Sequence, residues 1–155
     1  MPRFAANLTM MFTEVPFLDR FAAAANAGFT AVEYLFPYAH PADEVGRRLR
    51  DNGLTQALFN LPPGDWDAGE KGFAALPERF DDLKASLVTA LPYAEATGVK
   101  RVHLMAGIAE RSDAKAVEAF YKSVAWAAEF FAPHGLDVVL EPVSYTHLRA
   151  HETKA

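Results

Sequence analysis

Along the whole chain the hydrophobic pattern alternates between two periods, and this limits the fold more than any other feature. Short β-type runs come at Arg3–Leu8, Phe29–Leu35, Leu54–Phe59, Val99–Met105 and Leu136–Leu140, with helical spacing between them. In the first helical segment Phe17, Leu18, Phe21, Ala22 and Ala25 share a face, Pro16 suits the first turn, and Gly28 ends it. The second starts at Asp43 or Glu44, turns Val45 and Leu49 inward and stops at Asn52-Gly53. In the third, Phe80, Leu83, Leu87, Leu91 and Ala94 line one face, and the internal Pro92 predicts a kink or a break. The fourth opens at a Ser112-Asp113 cap, buries Val117, Phe120, Val124, Ala128 and Phe131, and ends near Pro133-His134-Gly135.

Strands that alternate with helices call for a parallel sheet joined by right-handed helical crossovers. Apolar runs such as Val138-Val139-Leu140 and Ala57-Leu58-Phe59 suit strands covered on both faces. Two architectures use this order, the open doubly wound sheet and the (β/α)8 barrel. A doubly wound nucleotide-binding unit wants a Gly-rich turn after its first strand, and Asn7-Leu8-Thr9 is nothing like one. The barrel is favoured, but a complete one takes about 250 residues. The expected fold class is therefore α/β, an incomplete (β/α)8 TIM barrel of five parallel strands and four helices.

Composition narrows the function. At 155 residues and 51% hydrophobic content, the chain has the makings of one globular domain with a real core. The absence of Cys excludes a disulfide scaffold, a thiolate metal site and a cysteine nucleophile. A net charge of −5 leaves no basic footprint for nucleic acid. No apolar run approaches the roughly 20 residues of a membrane helix. Asn7, Thr9 and Glu14 interrupt the start in a way a secretory signal does not. The expectation is a cytoplasmic enzyme domain.

Residues 143–155 break the pattern, and Val143 to Thr153 resembles the in-frame translation of a transposon-type sequencing adapter. They are expected to be a non-native, disordered tail, so His147, His151 and Glu152 are not taken as a metal site. Residues 1–142 resemble the N-terminal part of the hydroxypyruvate isomerase family, in the xylose-isomerase-like group of TIM barrels. The segments that carry the likeness are RFAANLTMMF, GFTAVEYLFPY, LFNLPPGDWDAGEKG and VVLEP. The resemblance implies that about 110 further residues would complete the barrel. It implies an aldose–ketose isomerase that interconverts hydroxypyruvate and tartronate semialdehyde, with 2-oxo-tetronate isomerases and sugar epimerases as neighbours.

Such a reaction removes a proton α to a carbonyl and returns it to the adjacent carbon, through an enediolate. Carboxylate bases and a divalent cation suit that chemistry. In a barrel these groups sit at the C-terminal ends of strands, where Glu141 follows Val138-Val139-Leu140. By resemblance Glu141 is one of two catalytic glutamates that also hold the metal, Mg2+ or Mn2+. The second glutamate and the other ligands belong to later strands, so the chain alone is expected to be inactive.

Other candidates come from strand ends and from one loop. Glu33, ending the second strand, either positions substrate or a water, or bonds to a neighbouring strand end. Asn7 either meets a hydroxyl-bearing substrate or caps its own backbone. The aperiodic stretch from Asn60 to Leu76 is long enough to be functional. Within it, Asn60 and Asp65 are candidate substrate contacts, Trp66 a cover for the barrel mouth, and Lys71 a partner for the substrate carboxylate. His103, on the fourth strand, either faces the site or packs beneath the helices. His40 and His134 are expected to face solvent.

The expected partner is a small hydroxy-keto acid, with no nucleic acid or membrane, and a homo-oligomer is compatible. A reading of another class makes the chain a half-barrel that binds a partner or dimerises through its unpaired first and fifth strands. A base-excision endonuclease on the same fold would need more His ligands and a basic groove, and neither is visible.

Overall fold

The computed structural model describes residues 4–141. It contains five strands, β1 (Ala6–Asn7), β2 (Ala31–Tyr34), β3 (Thr55–Asn60), β4 (Arg101–His103) and β5 (Asp137–Val139). Four helices connect them: α1 (Arg20–Asn26), α2 (Ala42–Asp51), α3 (Phe80–Thr97) and α4 (Ala114–Phe131). All strand pairs are parallel and the spatial order is β1-β2-β3-β4-β5. That order decides between the two architectures. A doubly wound sheet reverses direction at a switch point, whereas here each strand lies beside the next in sequence, as in a barrel wall. The expected tail lies outside the described residues.

The elements fall where the hydrophobic periods put them, with shorter strands. One 3-10 turn, Phe17–Asp19, leads into α1. In α2, Val45 and Leu49 are buried, and Arg47 and Arg48 pair with Glu44 on the outer face. Helix α3 buries Leu83, Leu87 and Ala94 and runs through Pro92 without a break. The proline and Val88, whose carbonyl loses its partner, lie on the exposed face, where water can satisfy that group. Asp113 caps α4 by accepting from the N–H groups of Lys115, at 2.9 Å, and Ala116. The buried stripe of α4 is Ala116, Ser123, Ala127 and Phe131. Val117, Phe120 and Val124 only flank it and Ala128 is exposed, because small residues let the helix lie close to its neighbours.

Alternate residues of the strands face the helices. Val32, Phe59 and Val102 are fully buried there, and the Tyr34 ring packs edge-on against Phe17 and Phe21. The pattern survives a slip in register. Val32 pairs with Gln56, but Glu33 pairs with Leu58, so Ala57 is an extra residue in β3. Gln56 is buried on the helix side, where the Tyr34 hydroxyl donates to its amide oxygen. The bulge thus turns Phe59 to the helices and Leu58 and Asn60 to the other face. Strand β5 departs from the expectation of two covered faces. It is an edge strand among the described residues, and Leu140 is 41% exposed.

Candidate active site

Five consecutive strands deliver a polar side chain to one rim of the sheet. Asn7 ends β1 and pairs in register with Glu33 of β2; Asn60 ends β3 and pairs with His103, which ends β4. His103 pairs with Val139, and Glu141 follows two residues later, on the same side of an extended chain. Paired residues of adjacent strands point the same way, so register alone aims all five at the face away from the helices. They line a common cavity of about 280 Å³ together with Trp66, Met10, Leu58 and Met105. This is the C-terminal rim, where barrel enzymes carry their chemistry.

The structure shows where the residues with alternatives left open by the sequence stand. Asn7 donates from Nδ2 to Glu33 Oε1 at 3.1 Å, while its Oδ1 accepts from the Thr9 N–H at 3.0 Å. It therefore caps its own backbone and also lines the cavity. Glu33 is bonded to a neighbouring strand end and also presents a carboxylate to the cavity. His103 is buried and faces the cavity. Asn60 Nδ2 lies 3.8 Å from the Met105 sulfur, and its backbone carbonyl accepts from the Tyr38 hydroxyl at 2.7 Å.

The loop after β3 contributes Trp66 but neither of its other two candidates. The indole leans on Phe36, with ring centroids 5.0 Å apart. Lys71 is stacked on that indole, its ammonium 3.2 Å from the ring centroid, rather than lining the cavity. Asp65 is exposed, and its carboxylate accepts from the Ala68 N–H at 3.0 Å. His134 is exposed as expected, but His40 is half-buried, its ring stacked on Phe17 at 5.3 Å.

Sequence reasoning missed the residues that hold the rim. Arg20 donates to the carbonyls of Leu8, at 2.7 Å, and Val15, at 3.0 Å, fixing the turn after β1. Thr9 Oγ1 accepts from the Leu35 N–H at 2.9 Å and ties that turn to the end of β2. Leu58 and Met105 were within reach of the two-residue alternation, each lying two positions from an inward residue. The described residues do not make a metal centre by themselves: no group of three His, Asp or Glu side chains among them stands close enough to hold an ion. Nor is any helix among the described residues long and apolar enough to cross a membrane.

Comparison with known proteins agrees with this geometry. The chain is 53% identical over 146 residues to a 2-oxo-tetronate isomerase of Cupriavidus necator, covering 93% of this chain and 56% of that one. It is 36% identical over 151 residues to the hydroxypyruvate isomerase of Escherichia coli, covering 94% and 57%. A crystal structure from Brucella melitensis, described as an AP endonuclease of family 2, superposes with a TM-score of 0.89 at 51% identity, covering 92% of this chain and 56% of that one. The chain thus spans a little over half the length of the curated relatives it matches. The family model described as xylose isomerase-like TIM barrel matches residues 21–153. With a one-way parallel sheet and a polar C-terminal rim, the chain belongs to the xylose isomerase-like TIM barrel family.

Proposed function

We propose that the complete protein is an aldose–ketose isomerase of short hydroxy-keto acids, interconverting hydroxypyruvate and tartronate semialdehyde. The observation that carries this reading is the convergence of Asn7, Glu33, Asn60, His103 and Glu141 on one cavity at the strand ends. Glu141 is the base that takes a proton from the hydroxymethyl carbon of hydroxypyruvate. The electron pair left behind forms the enediolate, and the proton returns to the adjacent carbon as the carbonyl moves. Amide groups of Asn7 and Asn60 and the imidazole of His103 orient the substrate oxygens, Glu33 fixes Asn7, and Trp66 shields the intermediate from water. Asp65 and Lys71 act only through the loop that carries Trp66.

Two carboxylates face the cavity and the substrate brings a third, so positive charge is required from elsewhere. A divalent cation, Mg2+ or Mn2+, held by Glu141 and by ligands outside the described residues, would supply it and stabilise the enediolate. The location is cytoplasmic, the partner is the small-molecule substrate, and a homo-oligomer is compatible. A second reading takes 2-oxo-tetronate as the substrate, and the higher identity to the isomerase of that name favours it. A nuclease reading, suggested by the description of the Brucella structure, fits less well, because among the described residues the cavity lining holds two carboxylates and no Lys or Arg.

The test is proton exchange. The full-length protein, incubated in D2O with hydroxypyruvate and separately with 2-oxo-tetronate, is followed by proton NMR. Isomerisation with deuterium entering the carbon α to the carbonyl is expected. Glu141→Gln should lower kcat by about 10²–10⁴-fold. Faster turnover of the four-carbon acid would select the second reading. Absence of isomerisation with either acid would end both.

A further inference from the structure

The loop that carries Trp66 is closed by one carboxylate, and we infer that Glu70 is a positioning residue that fixes Trp66 as a permanent wall of the cavity. Residues 65–70 form a turn tied at both ends by the same pair. The Glu70 N–H donates to the Asp65 carbonyl at 2.9 Å, and the Asp65 N–H donates to Glu70 Oε2 at 2.6 Å. The other carboxylate oxygen, Oε1, pairs with the Arg79 guanidinium at the start of α3. One side chain therefore closes the turn on itself and anchors it to a helix. Within that closed turn the only large side chain is Trp66, held between Lys71 and Phe36.

Two glycines show how closely the loop is packed, one against this carboxylate and one against the chain after β4. Gly64 has φ +89°, and a Cβ there would lie 2.0 Å from Glu70 Oε2. Gly72 has φ +102°, and a Cβ there would lie 2.3 Å from the Met105 carbonyl oxygen. The close approach at Gly72 lets the loop bridge to Ala106, and the Gly107 N–H donates to the Lys71 carbonyl at 3.0 Å. Phe73 is buried beneath the Arg79 guanidinium, 4.7 Å from it. A mobile lid needs few such ties, so Trp66 is placed before any substrate arrives. The inference rests on the proposed site only in taking the cavity as the place where substrate binds.

The test reads the indole rather than turnover, so its outcome is independent of the isomerase reading. In the 155-residue chain carrying Trp126→Phe, Trp66 is the sole tryptophan, because the sequence has two. Acrylamide quenching and the emission maximum then report its exposure. Glu70→Ala should raise the quenching constant at least two-fold and shift the emission to the red. Glu70→Gln should fall between, since its amide oxygen still accepts from the Asp65 N–H but loses the charge pair. Arg79→Met should match Glu70→Gln. Asn52→Ala, which removes a hydrogen bond to the Arg48 carbonyl at the opposite end of β3 from the loop, is the control for general loosening and should leave quenching unchanged, with circular dichroism verifying that each variant is folded. Unchanged quenching in a folded Glu70→Ala chain would overturn the inference, and so would an equal rise in Asn52→Ala.

Discussion

Phe59 and Asn60 are adjacent in β3, yet they belong to different parts of the molecule. Phe59 faces the helices, is fully buried, and packs beside Tyr38 with ring centroids 6.3 Å apart. Asn60 is also buried but faces the cavity, where its amide lies 3.8 Å from the Met105 sulfur. The same division recurs in β2 and β4, with Val32 beside Glu33 and Val102 beside His103. The helix-facing set is largely apolar, whereas the cavity-facing set mixes polar side chains with Leu58 and Met105. A pleated strand thus lets one short sequence carry stability and chemistry on alternate residues.

The largest expected effect tests that division directly. Phe59→Ala should cost about 3–5 kcal/mol of stability, since it empties a fully enclosed site. Asn60→Ala, one residue away, should cost less than about 1 kcal/mol, as only a weak contact is lost. Urea unfolding of the two variants measures the contrast. Comparable losses would mean that the cavity face is also part of the packed core.

A smaller effect probes the bulge that keeps the division in register. Gln56 accepts from the Tyr34 hydroxyl and lies across the extra residue, Ala57. Gln56→Ala leaves that hydroxyl buried without its acceptor and should cost about 1–3 kcal/mol. Combining Tyr34→Phe with Gln56→Leu removes both polar partners and should recover much of the loss. Failure to recover would show that Gln56 acts by holding the bulge itself, and with it the direction of Asn60.

The contrast between the faces also marks where sequence reasoning worked. Five strands and four helices were legible because amphipathic periods are long, repeated signals, and Gly28, Asn52-Gly53 and Asp113 punctuate them. Asn7, Glu33, Asn60, His103 and Glu141 were legible as polar residues within or at the end of short apolar runs. The bulge at Ala57 was not, since one inserted residue leaves no compositional mark in a six-residue strand. Phe131 of α4 is buried as its hydrophobicity predicts, but the rest of the buried stripe is Ala and Ser, whose burial follows from close helix approach. Lys71 was expected at the substrate carboxylate, but a nearby indole competes for an ammonium group just as a carboxylate does. No local signal separates the two.

At neutral pH the last effect vanishes, and it appears only in alkali. Burial pushes the phenols of Tyr34 and Tyr38 well above the ordinary tyrosine range. Because the folded value is raised, the contribution is intact below the ordinary tyrosine pKa. It is lost as pH climbs from there toward the folded value, where the unfolded chain sheds protons that the folded chain keeps. In that window each such phenol should make stability fall by about 1.4 kcal/mol per pH unit. Tyr34→Phe should therefore flatten the alkaline slope by about one proton's worth, whatever it costs at neutral pH. The cavity face should leave this limb untouched, so Asn60→Ala should keep the parental slope. If Asn60→Ala flattened it as Tyr34→Phe does, the titrating groups would be coupled through the sheet, and the two faces would not be independent.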